Sequence, residues 1–226
     1  MARRAPRRAH GRRADSGRWR RVSQWRLVVL SRWRIPLVLA GLLIAPCASA
    51  HSPIEGIGDF YAGILHPAVV PAQLLALFSL GLFLGQRGLT AMRVGYCAFV
   101  PAIVAGLFAS GAGWVPVMQP WLLAASICCG FFAALQLRTP VALAGLLAAG
   151  VGVAVGLDSF PESDSVAQAA AVLAGSGLGA CIGLVVFAAI AELAQREWQR
   201  IAVRVAGSWS AASSLLVLSL LWVTGS

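Results

Sequence analysis

From His51 onward the chain alternates between long apolar runs and short polar links, and the length of the runs sets the architecture. They fall at roughly 66–85, 94–113, 120–137, 140–157, 166–191 and 205–223. Each is close to the ~20 residues a helix needs to cross a hydrocarbon layer of ~30 Å. The pattern predicts an all-α, polytopic membrane protein of about six transmembrane helices. Pro67, Pro116, Pro120 and Pro140 stand at or near the starts of runs, where a missing N–H does least harm. Pro101 is interior and should kink its helix or need local compensation.

The links give an independent test of that count. With the start at His51 outside, the inside links are 86–93, 138–139 and 192–204, and they hold all six arginines beyond residue 50: Arg87, Arg93, Arg138, Arg196, Arg200 and Arg204. The outside segments hold none of them, but carry Glu55, Asp59, Asp158, Glu162 and Asp164. Positive residues stay on the cytoplasmic side of a bacterial inner membrane, so both ends of the mature chain are expected in the periplasm. Trp114, Trp121 and Trp222 fall near the outer boundary and Trp198 and Trp209 near the inner one, as interfacial belts do.

The first fifty residues follow a different rule. Residues 1–34 form a basic n-region. Residues 35–50 hold an apolar core, bracketed by Pro36 and Pro46, that closes on Ala48-Ser49-Ala50, the pattern of a cleavable signal. The core is too short to span, and cleavage after Ala50 would leave His51 as the mature N-terminus. A lipoprotein site at Cys47 is disfavoured by Pro46. The organisation is therefore an n-region (1–34), a signal core (35–50) and a six-helix domain (51–226).

Composition excludes the competing classes. Hydrophobic residues make up 59% and charged ones 12%, too few charges to cover a water-soluble surface. The net charge of +10 suggests a nucleic-acid binder, but twelve of the 18 basic residues precede residue 35, so nucleic acid is not an expected partner. Cys97, Cys128, Cys129 and Cys181 sit in apolar runs without disulfide or zinc spacing and read as small packing residues. No Ser/His/Asp set, H-E-x-x-H or intramembrane carboxylate pair marks an enzyme. Gly175-Ser176-Gly177-Leu178-Gly179-Ala180 imitates a dinucleotide fingerprint, but no strand precedes it. Gly175, Gly179 and Gly183, like Gly152 and Gly156, instead recur every four residues and predict close helix crossings. Glu192 with Arg196, and Glu197 with Arg200, suggest an amphipathic extension whose arginines meet anionic headgroups.

Polar groups scarce elsewhere gather between His51 and Gly85: His51, Glu55, Asp59, His66 and Gln73. Ionisable groups at the mouth of a membrane helix point to function. His66 precedes Pro67, which biases it out of the α region and marks it as that mouth; it would share a face with Gln73 if the helix began cleanly there. A free N-terminal His51 would offer amine and imidazole together, a chelating pair, close in sequence to Glu55 and Asp59.

Ala62-Gly63-Ile64-Leu65-His66-Pro67, followed by Leu74-Leu75-Ala76-Leu77-Phe78-Ser79-Leu80-Gly81-Leu82, resembles the first-helix motif of the HupE/UreJ family of hydrogenase and urease accessory membrane proteins. Gln119-Pro120-Trp121-Leu122-Leu123-Ala124-Ala125-Ser126 is similar to its E-P-x-I-A-x-S stretch. The resemblance implies uptake of Ni²⁺ or Co²⁺ for metalloenzyme maturation, with maturation proteins and the lipid bilayer as partners and no permanently bound cofactor. On that implication the candidate metal residues are His66, His51, Asp59 and Glu55, with His51 forming an entry site with Glu55 or Asp59 and passing metal towards His66. A non-transporting scaffold for hydrogenase or urease assembly is the alternative. Val70, Ala72 and Gln73 replace the family's Gly, Asp and His. Gln119 stands for a Glu, and Gly156-Leu157-Asp158-Ser159-Phe160-Pro161-Glu162 takes the place of a His-rich segment. Nickel and cobalt favour imidazole, so these replacements bear directly on selectivity.

A reporter fused after Ser226 should behave as periplasmic; clear cytoplasmic activity there would mean a miscounted helix.

Overall fold

The structure is a computed structural model that describes residues 58–137, 139–161 and 165–224. The expected n-region, signal core and cleavage site, and His51 and Glu55, lie outside the described residues. Seven helices and no strand occur among those described: α1 (Asp59–Val69), α2 (Pro71–Gln86), α3 (Leu89–Gly111), α4 (Gln119–Leu135), α5 (Val141–Leu157), α6 (Val166–Glu192) and α7 (Glu197–Thr224). Five of the six apolar runs fold as one helix each. α3, α6 and α7 are long and apolar enough to cross a membrane, and α4 and α5 are apolar helices of 17 residues. The chain is an all-α polytopic membrane protein. α3 runs through Pro101 without interruption.

The first run departs from expectation. It is two helices, α1 and α2, meeting at 70°. The break falls at Val70, extended at φ −82° and ψ 109°, and not at His66. Both residues precede a proline, and such a residue avoids the α region. Val70 yields and Pro71 opens α2, where its fixed φ and absent N–H fit the first turn. His66 and Pro67 lie inside α1 instead.

Packing then separates α2 from the rest. Eleven of its 16 residues are buried, on every side, against α4, α6 and α7 chiefly. The other helices each keep an exposed apolar face, including Val104 and Phe108 on α3, Leu146 on α5 and Leu216 on α7. Such faces suit lipid. The tryptophans at 114, 121, 198, 209 and 222 are all more than half exposed, as a belt at the lipid boundary requires.

Small residues set the crossings. A Cβ at Gly175 would stand 2.1 Å from the Phe60 carbonyl oxygen and one at Gly179 2.2 Å from that of Ile64, so α1 lies directly on the backbone of α6. Gly152 and Gly156 admit α3 in the same way, at 2.8 Å from the Phe99 oxygen and 2.6 Å from that of Ile103. Gly183 differs from expectation, because its nearest neighbour is Phe187 of its own helix at 3.9 Å. The expected amphipathic extension is the first part of α7 itself. Glu192 ends α6 and Arg196 precedes α7, so they share no helix, and Arg204 donates through Nε to the Ala134 carbonyl at 2.9 Å, tying α7 to the end of α4.

Gly175→Ala should therefore destabilise the protein by about 1–3 kcal/mol, an overpacking cost against rigid backbone. Gly183→Ala should be neutral or slightly stabilising, because alanine is the better helix former. Thermal unfolding in detergent reads both; equal midpoints for the two would remove the glycine contact as the determinant of the α1–α6 crossing.

Candidate functional site

The bend at Val70 turns α1 back so that His66 faces the start of α2. Gln73, in the first turn of α2, is fully buried. Its Nε2 donates to Asp158 Oδ2 at 2.9 Å and lies 3.4 Å from His66 Nε2. With the amide donating, His66 Nε2 is the acceptor and its proton resides on Nδ1. Two side chains seven residues apart and a third 85 residues further on thus meet at the break between two helices.

Asp158 is placed by its neighbours. It stands just beyond α5, and Ser159 beside it is buried, donating to the Val155 carbonyl and receiving a bond from Ser176 of α6 at 2.9 Å. The link after α5 is pinned to both helices. Burial pushes the Asp158 carboxyl above the usual carboxylate range, opposed by the Gln73 hydrogen bond and the neighbouring His66. Pro71 has no N–H, and those of Ala72 and Gln73 find no acceptor within α2, so the positive end of the helix also favours a carboxylate here.

Gln73 Oε1 is buried and has no hydrogen-bond partner. Rotating the carboxamide would set its oxygen against the Asp158 oxygen and the unprotonated His66 nitrogen, so these two acceptors fix the orientation. The amide nitrogen therefore occupies the point where a cation would meet both an imidazole nitrogen and a carboxylate oxygen. A carbonyl oxygen waits on the other side of the same group. The set can supply one nitrogen and two oxygens.

Of the expected metal residues, the structure places His66 in this cluster. Asp59 is exposed at the start of α1, seven residues or ~10 Å along the helix from His66. The carboxylate that reaches His66 is Asp158. No group of three or more His, Cys, Asp or Glu that could hold an ion occurs among the described residues. Asp158 was visible in sequence only as part of the link that replaces the His-rich segment; its partnership with Gln73 spans 85 residues and had no local signal.

A family model described as HupE / UreJ protein matches residues 38–217. The chain belongs to the HupE/UreJ family. No curated protein and no solved structure matches it. HupE/UreJ is a family of accessory or transporter type, not of enzymes, and it is linked to nickel accessory roles in hydrogenase and urease maturation. Within this HupE/UreJ chain, His66, Gln73 and Asp158 come together where the first-helix motif meets the link that follows α5.

A second polar cluster lies deeper. Ser79 of α2, Ser126 of α4, and Ser210 and Ser214 of α7 are all buried. Ser79 and Ser126 both donate to the Leu75 carbonyl, at 2.8 and 3.1 Å. Ser214 donates to Ser126 at 2.8 Å, and Ser79 and Ser210 stand 2.6 Å apart. At the Arg87 end of α2 a cavity of about 370 Å³ opens among the ends of α2, α4, α6 and α7, with Gln86, Gln136, Glu192 and Arg200 on its wall.

Gln73→Leu keeps the volume but leaves half-buried Asp158 without its donor, and should cost about 1.5–3 kcal/mol, the range for a hydrogen bond to a charged group. Adding Asp158→Leu should recover part of that loss. Detergent melting midpoints that are unchanged in the single variant, or additive in the double, would dissolve the link between the two residues.

Proposed function

We propose that the protein is a bacterial inner-membrane permease that takes up a divalent transition metal, nickel or cobalt, for metalloenzyme maturation. The observation that carries this reading is the meeting of imidazole, carboxylate and an unpartnered carbonyl oxygen at a broken helix. Broken membrane helices are a recurrent way to present ion ligands near a half-helix end, and buried ionisable groups in a membrane protein mark a pathway.

In this reading Gln73 holds the empty site. Its Nε2 bridges His66 and Asp158 while no ion is present, keeping both groups hydrogen-bonded in a low-dielectric place. An arriving cation displaces the nitrogen, and rotation of the carboxamide turns Oε1 towards the metal. The unpartnered atom then gains its partner. The resulting nitrogen–oxygen–oxygen set is harder than one rich in imidazole, so nickel should be held less tightly than by a His-rich site. The site faces the periplasm, because the arginine-rich links lie at the opposite end of α2. His51, Glu55 and Asp59 remain candidates for the approach to it.

Cells that express the protein should accumulate Ni²⁺ or Co²⁺ at limiting metal, with His66→Ala and Asp158→Ala each lowering uptake at least about tenfold at equal membrane levels, as loss of ~1.4 kcal/mol of binding would. His51→Ala should weaken uptake only when metal is scarce. No accumulation in the parent, with hydrogenase or urease activity still dependent on the protein, would favour the scaffold role.

A further inference from the structure

We propose that one turn of α6, Gly175 to Gly179, is the template that sets the spacing of His66 and Asp158, with Ser176 as the positioning residue for the carboxylate. The proposal rests on the transport reading for what the pair binds. It gives the Gly-Ser-Gly-Leu-Gly segment a task beyond helix crossing.

His66 is carried by α1 and Asp158 by the end of α5, and these helices have different main neighbours. α1 packs chiefly on α6, and α5 chiefly on α3. One turn of α6 reaches both. A Cβ at Gly175 would stand 3.1 Å from the Gly63 Cα, and the three atoms nearest a Cβ at Gly179 all belong to Ile64. Gly63 in return would carry its Cβ 2.3 Å from the Val172 oxygen. α1 is therefore seated backbone on backbone as far as Ile64, two residues before His66. Ser176 stands between these glycines and, at ~100° per residue, faces another way. Its hydroxyl donates to Ser159 Oγ at 2.9 Å, and Ser159 passes its own proton to the Val155 carbonyl. Both serines are buried. On the other flank of Asp158, a Cβ at Gly106 of α3 would stand 3.1 Å from the Leu157 nitrogen. The carboxylate thus sits between two held residues, and α6 holds one of them.

Gly175 and Gly179 are about 6 Å apart along the axis, so the seat of α1 and the anchor of the Asp158 link lie at one depth. A cation that bridges an imidazole and a carboxylate sits about 2 Å from each, so both must be set in place by what stands behind them. Glycine against main chain leaves no side chain to adjust, which makes the seat rigid. Apolar contact has no direction, and the Ser176 hydroxyl supplies one. Loss of a group that orients a metal ligand typically weakens metal binding about 10–100-fold. Ser176→Ala strands no donor, because Ser159 keeps the Val155 carbonyl as its acceptor, so the variant should fold.

Hydrogen exchange in detergent, read by mass spectrometry, tests the template without metal. The Asp158 and Ser159 amides, bonded to the Ala154 and Gly156 carbonyls, report on the link. Ser176→Ala should speed exchange over residues 156–160 about tenfold and leave residues 59–69 unchanged; Gly179→Ala should do the reverse. In cells, Ser176→Ala should raise the half-saturating Ni²⁺ or Co²⁺ concentration about tenfold, with maximal rate and membrane level unchanged. A serine that only supports the fold would lower the level or the rate and leave half-saturation alone. Unchanged exchange over 156–160 in Ser176→Ala, or equal acceleration in both segments, overturns the template. Local acceleration with unaltered half-saturation overturns Ser176 as a positioning residue. Local acceleration in a protein that takes up no metal upholds the template and removes the transport reading.

Discussion

The residue before a proline has little room for helical backbone, and in this chain that steric restriction acts at Val70. Everything around the His66 site depends on it. An unbroken helix through residues 59–86 would carry His66 and Gln73 two turns apart on one straight rod, with every main-chain group in the first turn of α2 already bonded. Because Val70 is extended, α1 folds away by 70° and lies on α6, and α2 begins afresh with a donor-rich end. The imidazole is brought to the carboxamide, and Asp158 finds both a hydrogen-bond donor and the positive pole of a helix. A helix break inside an apolar protein exposes main-chain groups that lipid cannot satisfy; burying the break against α6 and the link after α5 removes that penalty.

The apolar runs were legible because bilayer thickness imposes a length, and glycine spacing was legible because helical period imposes a face. Gly175 and Gly179, and Gly152 and Gly156, behave as their four-residue recurrence suggests. Gly183 shares that recurrence but meets no neighbouring helix, since α6 turns from α1 towards α2 as it proceeds, and the contact passes to Ala188 and Ala191 against Gly85. Periodicity names a face; the partner on that face is a tertiary fact. The break at Val70 illustrates the same limit. Pro67 and Pro71 stand four residues apart, each is preceded by a residue it disfavours in a helix, and nothing local decides which one is tolerated.

The polar clusters were hidden for a related reason. In an apolar chain, serine is scattered through helices wherever two backbones come close, so Ser79, Ser126, Ser210 and Ser214 carry no individual signal. They converge because α2, α4 and α7 converge. Asp158 was hidden in a different way. An acid in an outside link is ordinarily a solvated one, and its burial follows only once Ser159 and Ser176 draw the link inward. Of the three side chains that meet at the break, His66 and Gln73 stood out in the sequence, because polar groups are scarce in the apolar runs and proline follows the histidine.

The substitutions that separate this chain from the family's first-helix motif make physical sense together. Where the motif expects a charged Asp-His pair, the chain has Ala72 and Gln73, which lose a carboxylate and an imidazole from the same turn. One carboxylate returns from outside the motif as Asp158, across the break. A half-buried carboxylate near a single imidazole is stabilised by a donor, and Gln73 is neutral and long enough to reach both. An acid at that position would repel Asp158, and an apolar residue would leave it unpaired. The unpartnered Gln73 Oε1 is the cost of that arrangement. In the proposed transport role it is also the oxygen that rotation of the carboxamide would offer to a cation arriving between His66 and Asp158.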